Sequence, residues 1–190
     1  MGRARLADVF QRAKAVAKYP YHCYVNADIV LFPSVLEATR RAGQTFKTFI
    51  MGGQRTNTEP IRSIGPEDEP FYDVVEEYCQ RYGTLLAPTG LDYFIHPADT
   101  LRRLAPGLGI GHLAWDNYLP WIMRHHEHGC FIDCTKYVRA WHQDHPVKDM
   151  GTFPGAQANH AIVRKYGFLQ LPEADYELTL KGEFHARVSH

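Results

Sequence analysis

The stretch Tyr24-Val25-Asn26-Ala27-Asp28-Ile29-Val30 sets an amide and a carboxylate two residues apart inside an apolar, β-branched run that continues into Leu31 and Phe32. Such a run predicts a buried strand over residues 22–32. A carboxylate there is costly unless it is paired, hydrogen-bonded or bound to a metal. Strand alternation sends Asn26 and Asp28 to one face. Two oxygen-bearing side chains on one face near a strand end suit a hard divalent cation or a ribose hydroxyl. A strand-terminal Asx turn, with Asp28 capping the next helix, accounts for the same residues without a ligand.

Further chemistry lies downstream. Asp116, in Ala114-Trp115-Asp116-Asn117-Tyr118-Leu119, falls where a Gly-rich loop meets a helix. A carboxylate at that position is stabilised by exposed N–H groups and the helix dipole. It is either a plain N-cap or a general base held at a rigid helix start. Trp141-His142-Gln143-Asp144-His145 offers two imidazoles spaced to converge on one metal ion. Joining them to Cys130 and Cys134 gives C-x3-C-x7-H-x2-H, which departs from structural-zinc spacing, so the cysteines are expected to pack in the core. Asp92 is a further acid beside a short strand, and Arg55 follows Gly52-Gly53-Gln54 in a loop, where it could face a phosphate. The sequence has no Gly-x-Ser-x-Gly nucleophile elbow, and the Gly-rich run 106–111 lacks the Lys and spacing of a P-loop.

The elements that must position these residues follow from periodicity. Apolar residues at helical spacing predict helices over 5–18, 34–42, 71–82, 99–104, 116–128 and 158–166. Ser34 is the expected N-cap and Gly43 the expected C-cap of the second, and Gly83 ends the third. Strands are expected over 22–32, 45–51 and within 84–94 and 131–141. Residues 54–70 and 142–156 read as loops and the last twenty residues as an irregular tail. Strands alternating with helices predict an α/β domain with a mixed, mainly parallel sheet flanked by helices, in a single domain over residues 1–190.

Composition narrows the function classes. With 190 residues, 45% hydrophobic and 22% charged, the chain has ordinary globular character. Lys+Arg and Asp+Glu are both 21, so no net charge draws it to nucleic acid or to a membrane surface. No apolar run is long enough to span a bilayer. The basic start leads into an amphipathic pattern rather than a signal-peptide core, so a cytoplasmic location is expected. The four cysteines are scattered, which argues against a disulfide framework. The 11 histidines and 13% aromatics fit a metal site and a sugar or base pocket.

Four short blocks occur in order: Val25-Asn26-Ala27-Asp28-Ile29, Gly52-Gly53-Gln54-Arg55, Gly90-Leu91-Asp92-Tyr93-Phe94 and Trp115-Asp116-Asn117-Tyr118-Leu119. Residues from Ile132-Asp133-Cys134-Thr135 through His142-Gln143-Asp144-His145 follow them. In this order they resemble GT-A-fold glycosyltransferases, the nucleotide-diphospho-sugar transferases, over most of residues 5–165. The resemblance implies a GT-A-like, truncated Rossmann-like fold. Asn26-Ala27-Asp28 would stand in the place of the Asp-x-Asp motif. Asp28 with His142 or His145 would hold a divalent metal, Mn2+ or Mg2+, while Asn26 and Arg55 would face the donor and its ribose. Asp92, Trp115 and Asn117 would line the substrate cleft, and Asp116 would deprotonate the acceptor hydroxyl. One helix alone precedes the motif, so the base-binding half of such a domain is expected to be lacking, with a partner chain or a homo-oligomer completing the sheet.

The implied function is metal-dependent transfer of a sugar from a nucleotide sugar to a carbohydrate or other hydroxyl acceptor. A non-catalytic GT-A-like domain that binds a carbohydrate or a partner is the alternative. A metal-dependent hydrolase built on Asp28, Asp116 and the two histidines ranks below both.

Overall fold

A computed structural model describes residues 4–61, 65, 67–68, 70–145 and 154–187. The expected loops over 54–70 and 142–156 lie in part outside the described residues. The chain opens with helix α1 (Leu6–Val16), strands β1 (Tyr21–Val25) and β2 (Ile29–Leu31), helix α2 (Ser34–Thr45) and strands β3 (Phe49–Gly52) and β4 (Thr56–Thr58). Helix α3 (Phe71–Tyr82), strands β5 (Thr84–Leu85) and β6 (Tyr93–Pro97), helix α4 (Trp115–His126) and strands β7 (Cys130–Asp133) and β8 (Ala140–Gln143) follow. Helix α5 (Pro154–Tyr166), a 3-10 turn over Leu171–Glu173 and strands β9 (Tyr176–Leu178) and β10 (Phe184–Ala186) complete it.

The α/β class holds, with two mixed sheets flanked by helices. The larger runs β1-β6-β3-β7-β9-β10 and the smaller β2-β8-β4-β5. The expectation of a mainly parallel arrangement does not hold. Among the described residues β3–β7, β7–β9 and β4–β8 are parallel, and the other pairings are antiparallel. A strand buried on both faces reads the same in either direction, so periodicity carried no information on polarity.

Both faces of the larger sheet are covered. Along β3, Phe49 and Met51 pack against Ala38 and Ala42 of α2, while Ile50 faces the side of Leu6, Tyr118 and Leu119 from α1 and α4. Tyr93 and Ile95 of β6 repeat this on one side and Phe94 on the other. The continuous apolar runs in these strands therefore come from two-sided burial, each large side chain contributing roughly 1.5–3 kcal/mol. Phe32, Phe71, Val75 and Trp141 form a third cluster between α3 and the smaller sheet. There the Trp141 indole N–H donates to Thr58 Oγ1 at 2.7 Å and ties β8 to β4.

Helix α3 matches its predicted bounds because Phe71, Val75 and Cys79 form one stripe and Gly83 ends it. A Cβ on Gly83 would stand 2.3 Å from both the Cys79 carbonyl oxygen and Thr56 Cγ2. Other boundaries moved. The predicted strand 22–32 breaks at a turn, where the Ile29 N–H donates to the Asn26 carbonyl at 3.1 Å, and its two halves join different sheets. Ser34 is the first residue of α2, behind Pro33, and its hydroxyl is buried without a hydrogen-bond partner. Gly43 lies within α2, where a Cβ would sit 1.8 Å from Tyr21 Oη, so packing rather than capping selects it. No helix forms over 99–104, because Leu101 takes φ 54 and Thr100 Oγ1 donates to the Pro97 carbonyl at 2.7 Å.

The expected irregular tail instead supplies β9 and β10. The Asp175 carboxylate accepts the Phe131 N–H at 2.8 Å and pairs with Arg124 at 3.0 Å, which seats β9 alongside β7. Leu178 is fully buried there. Leu178→Ala is expected to cost about 2–5 kcal/mol of stability, as for other buried leucines, read as a lowered urea midpoint at unchanged m-value.

Candidate metal centre at the junction of the two sheets

The break between β1 and β2 positions the centre. Asn26 follows the last residue of the larger sheet's edge strand, and Asp28 precedes the first residue of the smaller sheet. The two side chains therefore diverge rather than share a face. Asn26 turns to Asp92, just before β6, its Nδ2 donating to Asp92 Oδ1 at 2.8 Å. Asp28 turns to the end of β8, with Oδ2 3.5 Å from His142 Nε2 and 3.2 Å from His145 Nε2. Antiparallel pairing of Ile29 with His142 fixes this approach. The two histidines lie one on the last turn of strand and one just past it, with ring centroids 5.2 Å apart.

One ligand atom from each of Asp28, His142 and His145 lies within 4.8 Å of the other two. Metal–ligand bonds of about 2.1 Å in a tetrahedron place ligand atoms about 3.4 Å from one another. The two separations from the carboxylate are of this size, so these three residues could hold a cation. Burial, then the Arg55 charge, lowers the His142 pKa against the opposing pull of Asp28. For Asp28, burial raises the pKa, but the His145 hydrogen bond, its own backbone amide and the nearby His142 and Arg55 together lower it. A neutral imidazole and an ionised carboxylate are the forms that coordinate metal.

Beside the triad, Arg55 Nη1 pairs with Asp92 Oδ2 at 2.9 Å, both side chains largely buried. Arg55 Nε donates to Asn57 Oδ1 at 2.9 Å, and Asn57 sits in register with His142 across β4 and β8. The Gly52-Gly53 pair makes this route possible. A Cβ on Gly53 would meet Tyr93 Oη at 2.5 Å and the Thr135 amide at 2.9 Å, so any larger residue would push the chain leading to Arg55 outward. Asn26 Oδ1 in turn accepts the Tyr24 hydroxyl at 3.0 Å. Asn26 and Arg55, expected to face the donor, are thus bound to Asp92. Burial raises the Asp92 pKa, opposed by the Arg55 charge and the Asn26 hydrogen bond.

Tyr24, Asn26, Ala27 and Asp28 face Ile110, Gly111 and Trp115 across a cleft of about 410 Å³. The far wall is the Gly-rich loop. Asn159 on α5 accepts the Gly109 N–H at 2.9 Å and donates to the Gly109 and Leu113 carbonyls, pinning it. Trp115 is nearly buried and sets its ring edge-on against Tyr24.

Asp116 faces a neighbouring cleft of about 440 Å³ with His160, Arg164 and Phe168, on the other side of the Ala114–Trp115 step. Ala114 itself takes φ 75, a left-handed conformation that is strained for alanine. Asp116 Oδ2 accepts the Leu91 N–H at 3.2 Å, adjacent in sequence to Asp92. Burial raises the Asp116 pKa to about 6, against hydrogen bonds from the Leu91, Asn117 and its own amides. Asn117 does not face a cleft with a free amide, since its Nδ2 donates to the Thr89 and Leu169 carbonyls. Cys134 is buried against the Gly52 carbonyl and Tyr93 Oη, and Cys130 packs beside the same cluster, so neither cysteine joins the histidines.

Sequence reasoning missed Tyr24, Asn57, His160 and Arg164. Asn57 lay in a segment read as loop, and only its β4 register brings it to His142. His160 and Arg164 are four apart on α5, a spacing that puts them on one helix face.

Two outcomes are expected. Asp92→Ala strips Arg55 and Asn26 of their shared partner and should cost roughly 3 kcal/mol, read by denaturant unfolding at pH 7. Asp116 has its ordinary value, 3.8, in the unfolded chain and about 6 in the folded one. As pH rises from 3.8 to 6 the unfolded state gives up this proton first, so stability falls across that window and levels off above it. Asp116→Asn keeps the acceptor for the Leu91 N–H but lacks the titration. Its stability relative to wild type should rise by up to about 3 kcal/mol from pH 4 to pH 7, and a difference independent of pH would contradict the buried acid.

Compared with protein-family models, with curated proteins and with solved structures, the chain has no significant match.

Proposed function

We propose that this chain is a metal-dependent glycosyltransferase of the GT-A type, moving a sugar from a nucleotide sugar to a hydroxyl acceptor. The observation that carries the reading is the convergence of Asp28, which lines a cleft, with His142 and His145 from a segment far away in sequence. The sequence blocks assign Asp28 and a late histidine to one metal site, and these residues stand within coordination reach of each other. Two imidazoles and one carboxylate suit a transition ion better than magnesium, which prefers oxygen ligands. Manganese is therefore the ion carried forward of the two expected.

Bound there, the ion would neutralise charge developing on the leaving diphosphate. The chain's own groups do the remaining work. Asp28, with His142 and His145 behind it, would hold the donor end of the cleft, and Trp115 and Ile110 face it from the opposite wall. Arg55 adds positive charge beside Asp28 while Asp92 holds its orientation. The acceptor enters from the neighbouring cleft, where Asp116, with a pKa of about 6, is ionised at neutral pH and basic enough to take the hydroxyl proton. Release of that proton to water resets the carboxylate.

The second reading, a binding domain without catalysis, is favoured by one observation. Both polar atoms of Asn26 are engaged within the protein, by Asp92 and by Tyr24, where the transferase assignment places a donor contact.

The separating experiment is unfolding with added Mn2+, with UDP- or GDP-sugars, and with both. Mn2+ at a hundred times its Kd should stabilise the wild type by about 2.7 kcal/mol, and Asp28→Ala or His142→Ala should abolish the gain. Nucleotide sugars should stabilise further only with Mn2+ present. Metal stabilisation that survives both substitutions would remove the metal assignment. Metal-dependent nucleotide binding without transfer to any hydroxyl acceptor would leave the binding-domain reading.

A further inference from the structure

The cleft of about 440 Å³ beside Asp116 is formed by the start of α4, one face of α5 and the segment that follows α5. Leu113, Val163 and Phe168 give it apolar walls, and Asp116 is the one carboxylate among its lining residues. Val163 is nearly buried, but Leu113 is 43% exposed and Phe168 52% exposed. His160 and Arg164, also exposed, share the Val163 face of α5.

Both exposed apolar side chains stand on fixed backbone. Gly167, just before Phe168, takes φ 136, and a Cβ there would stand 2.2 Å from Trp121 Nε1. Its N–H donates to the Val163 carbonyl at 2.7 Å. Beyond Phe168, the N–H of the buried Leu169 donates to the Asn117 carbonyl at 2.9 Å. Leu113 is followed by Ala114 at φ 75, and its own carbonyl accepts Asn159 Nδ2 at 3.1 Å. A left-handed alanine is strained and persists where surrounding structure over-determines it. The chain is thus clamped on either side of two apolar groups that it presents to water. Such exposure is unfavourable, and an apolar ligand surface laid against it would relieve the cost.

The groups that a sugar would need here are largely engaged. Asn117 Nδ2 donates to the Thr89 and Leu169 carbonyls, and Asp116 Oδ2 already accepts the Leu91 N–H. We infer that this cleft binds an alcohol with an apolar body, of the aryl-methanol kind, in preference to a free sugar. The body would lie against Leu113, Val163 and Phe168, and the hydroxyl would donate to the Asp116 carboxylate, which has lone pairs to spare. His160 and Arg164 would meet whatever polar end of the molecule stays in water. The volume falls in the range of small-molecule sites. The inference deepens the transferase reading and rests on it for one point, that the bound alcohol is the acceptor. Binding itself needs neither metal nor nucleotide sugar.

The test is equilibrium dialysis of the full chain, in chelator, against 2-naphthalenemethanol and against D-glucose. The naphthyl alcohol should bind one to one, and about tenfold or more tightly than glucose, since a single methylene in an apolar pocket is already worth about that much. Phe168→Ser and Leu113→Ser, both at exposed positions, should each weaken it by about tenfold. Leu36→Ser, which removes an exposed apolar side chain from α2, should bind as the wild type does. The inference is overturned if the naphthyl alcohol gives no binding at millimolar concentration or if glucose binds as tightly. It is equally overturned if either cleft substitution leaves affinity unchanged, or if Leu36→Ser weakens binding as much. Alcohol binding by a chain that Mn2+ fails to stabilise would remove the transferase reading and leave this one standing, and the converse pair of results would do the opposite.

Discussion

The knot that Asp92 makes with Arg55 and Asn26 is the constraint on which the rest of the site depends. Asp92 stands before β6 of the larger sheet, Arg55 before β4 of the smaller, and Asn26 at the point where the chain passes from one to the other. The carboxylate is taken from water, and burial alone would push it towards the neutral acid. A guanidinium and an amide at hydrogen-bond distance offset that. Because the three partners come from three segments, the pairing sets how the two sheets meet, and so where Asp28 falls relative to β8. The approach of Asp28 to His142 and His145 is a consequence of that seam: two of these residues lie on β8 or just beyond it, and the third on the turn that crosses the seam.

Much of this was legible in the sequence, and the misses share a cause. Asp28 stood out as a carboxylate in an apolar run and His142 and His145 as closely spaced imidazoles, while the resemblance to GT-A enzymes was what joined them into one set. Helix α3 could be bounded to the residue because its stripe and its terminal glycine agree. What could not be read was anything set by pairing between distant segments. Strand polarity, the division of residues 22–32 between two sheets, and the role of residues 175–186 depend on which strand lies alongside which. Asn26 shows the limit most clearly. Alternation put it on one face with Asp28, and a turn forced by the change of sheet sent it the other way. The local pattern contains no record of that turn beyond the Asn-Ala-Asp sequence itself, which serves equally as strand end or as Asx turn.

The two clefts flanking Trp115 differ in their walls. The one at Asp28 mixes Tyr24, Asn26 and Asp28 with Ala27, Ile110, Gly111 and Trp115. The one at Asp116 is mainly apolar, with a carboxylate whose protonation is set by the absence of water rather than by a partner cation. A buried acid and a paired acid a few residues of structure apart are the arrangement by which a single fold holds one carboxylate ionised and inert and another near neutrality. The strained Ala114 backbone sits between them, where the loop must turn sharply to present Trp115 to one cleft and Asp116 to the other.

The seating of β9 beside β7 has a bearing on how the chain reaches this shape. The Phe131 amide in the middle of the larger sheet donates to Asp175, and Leu178 shares a buried cluster with Ile132 and Phe49. Until residues 175–186 are in place, β7 is an open edge with apolar side chains beside it. During synthesis the ribosome releases those residues last among the sheet's strands, so the sheet closes late and through contacts between remote parts of the chain. Such topologies fold slowly and leave an apolar edge uncovered while they do.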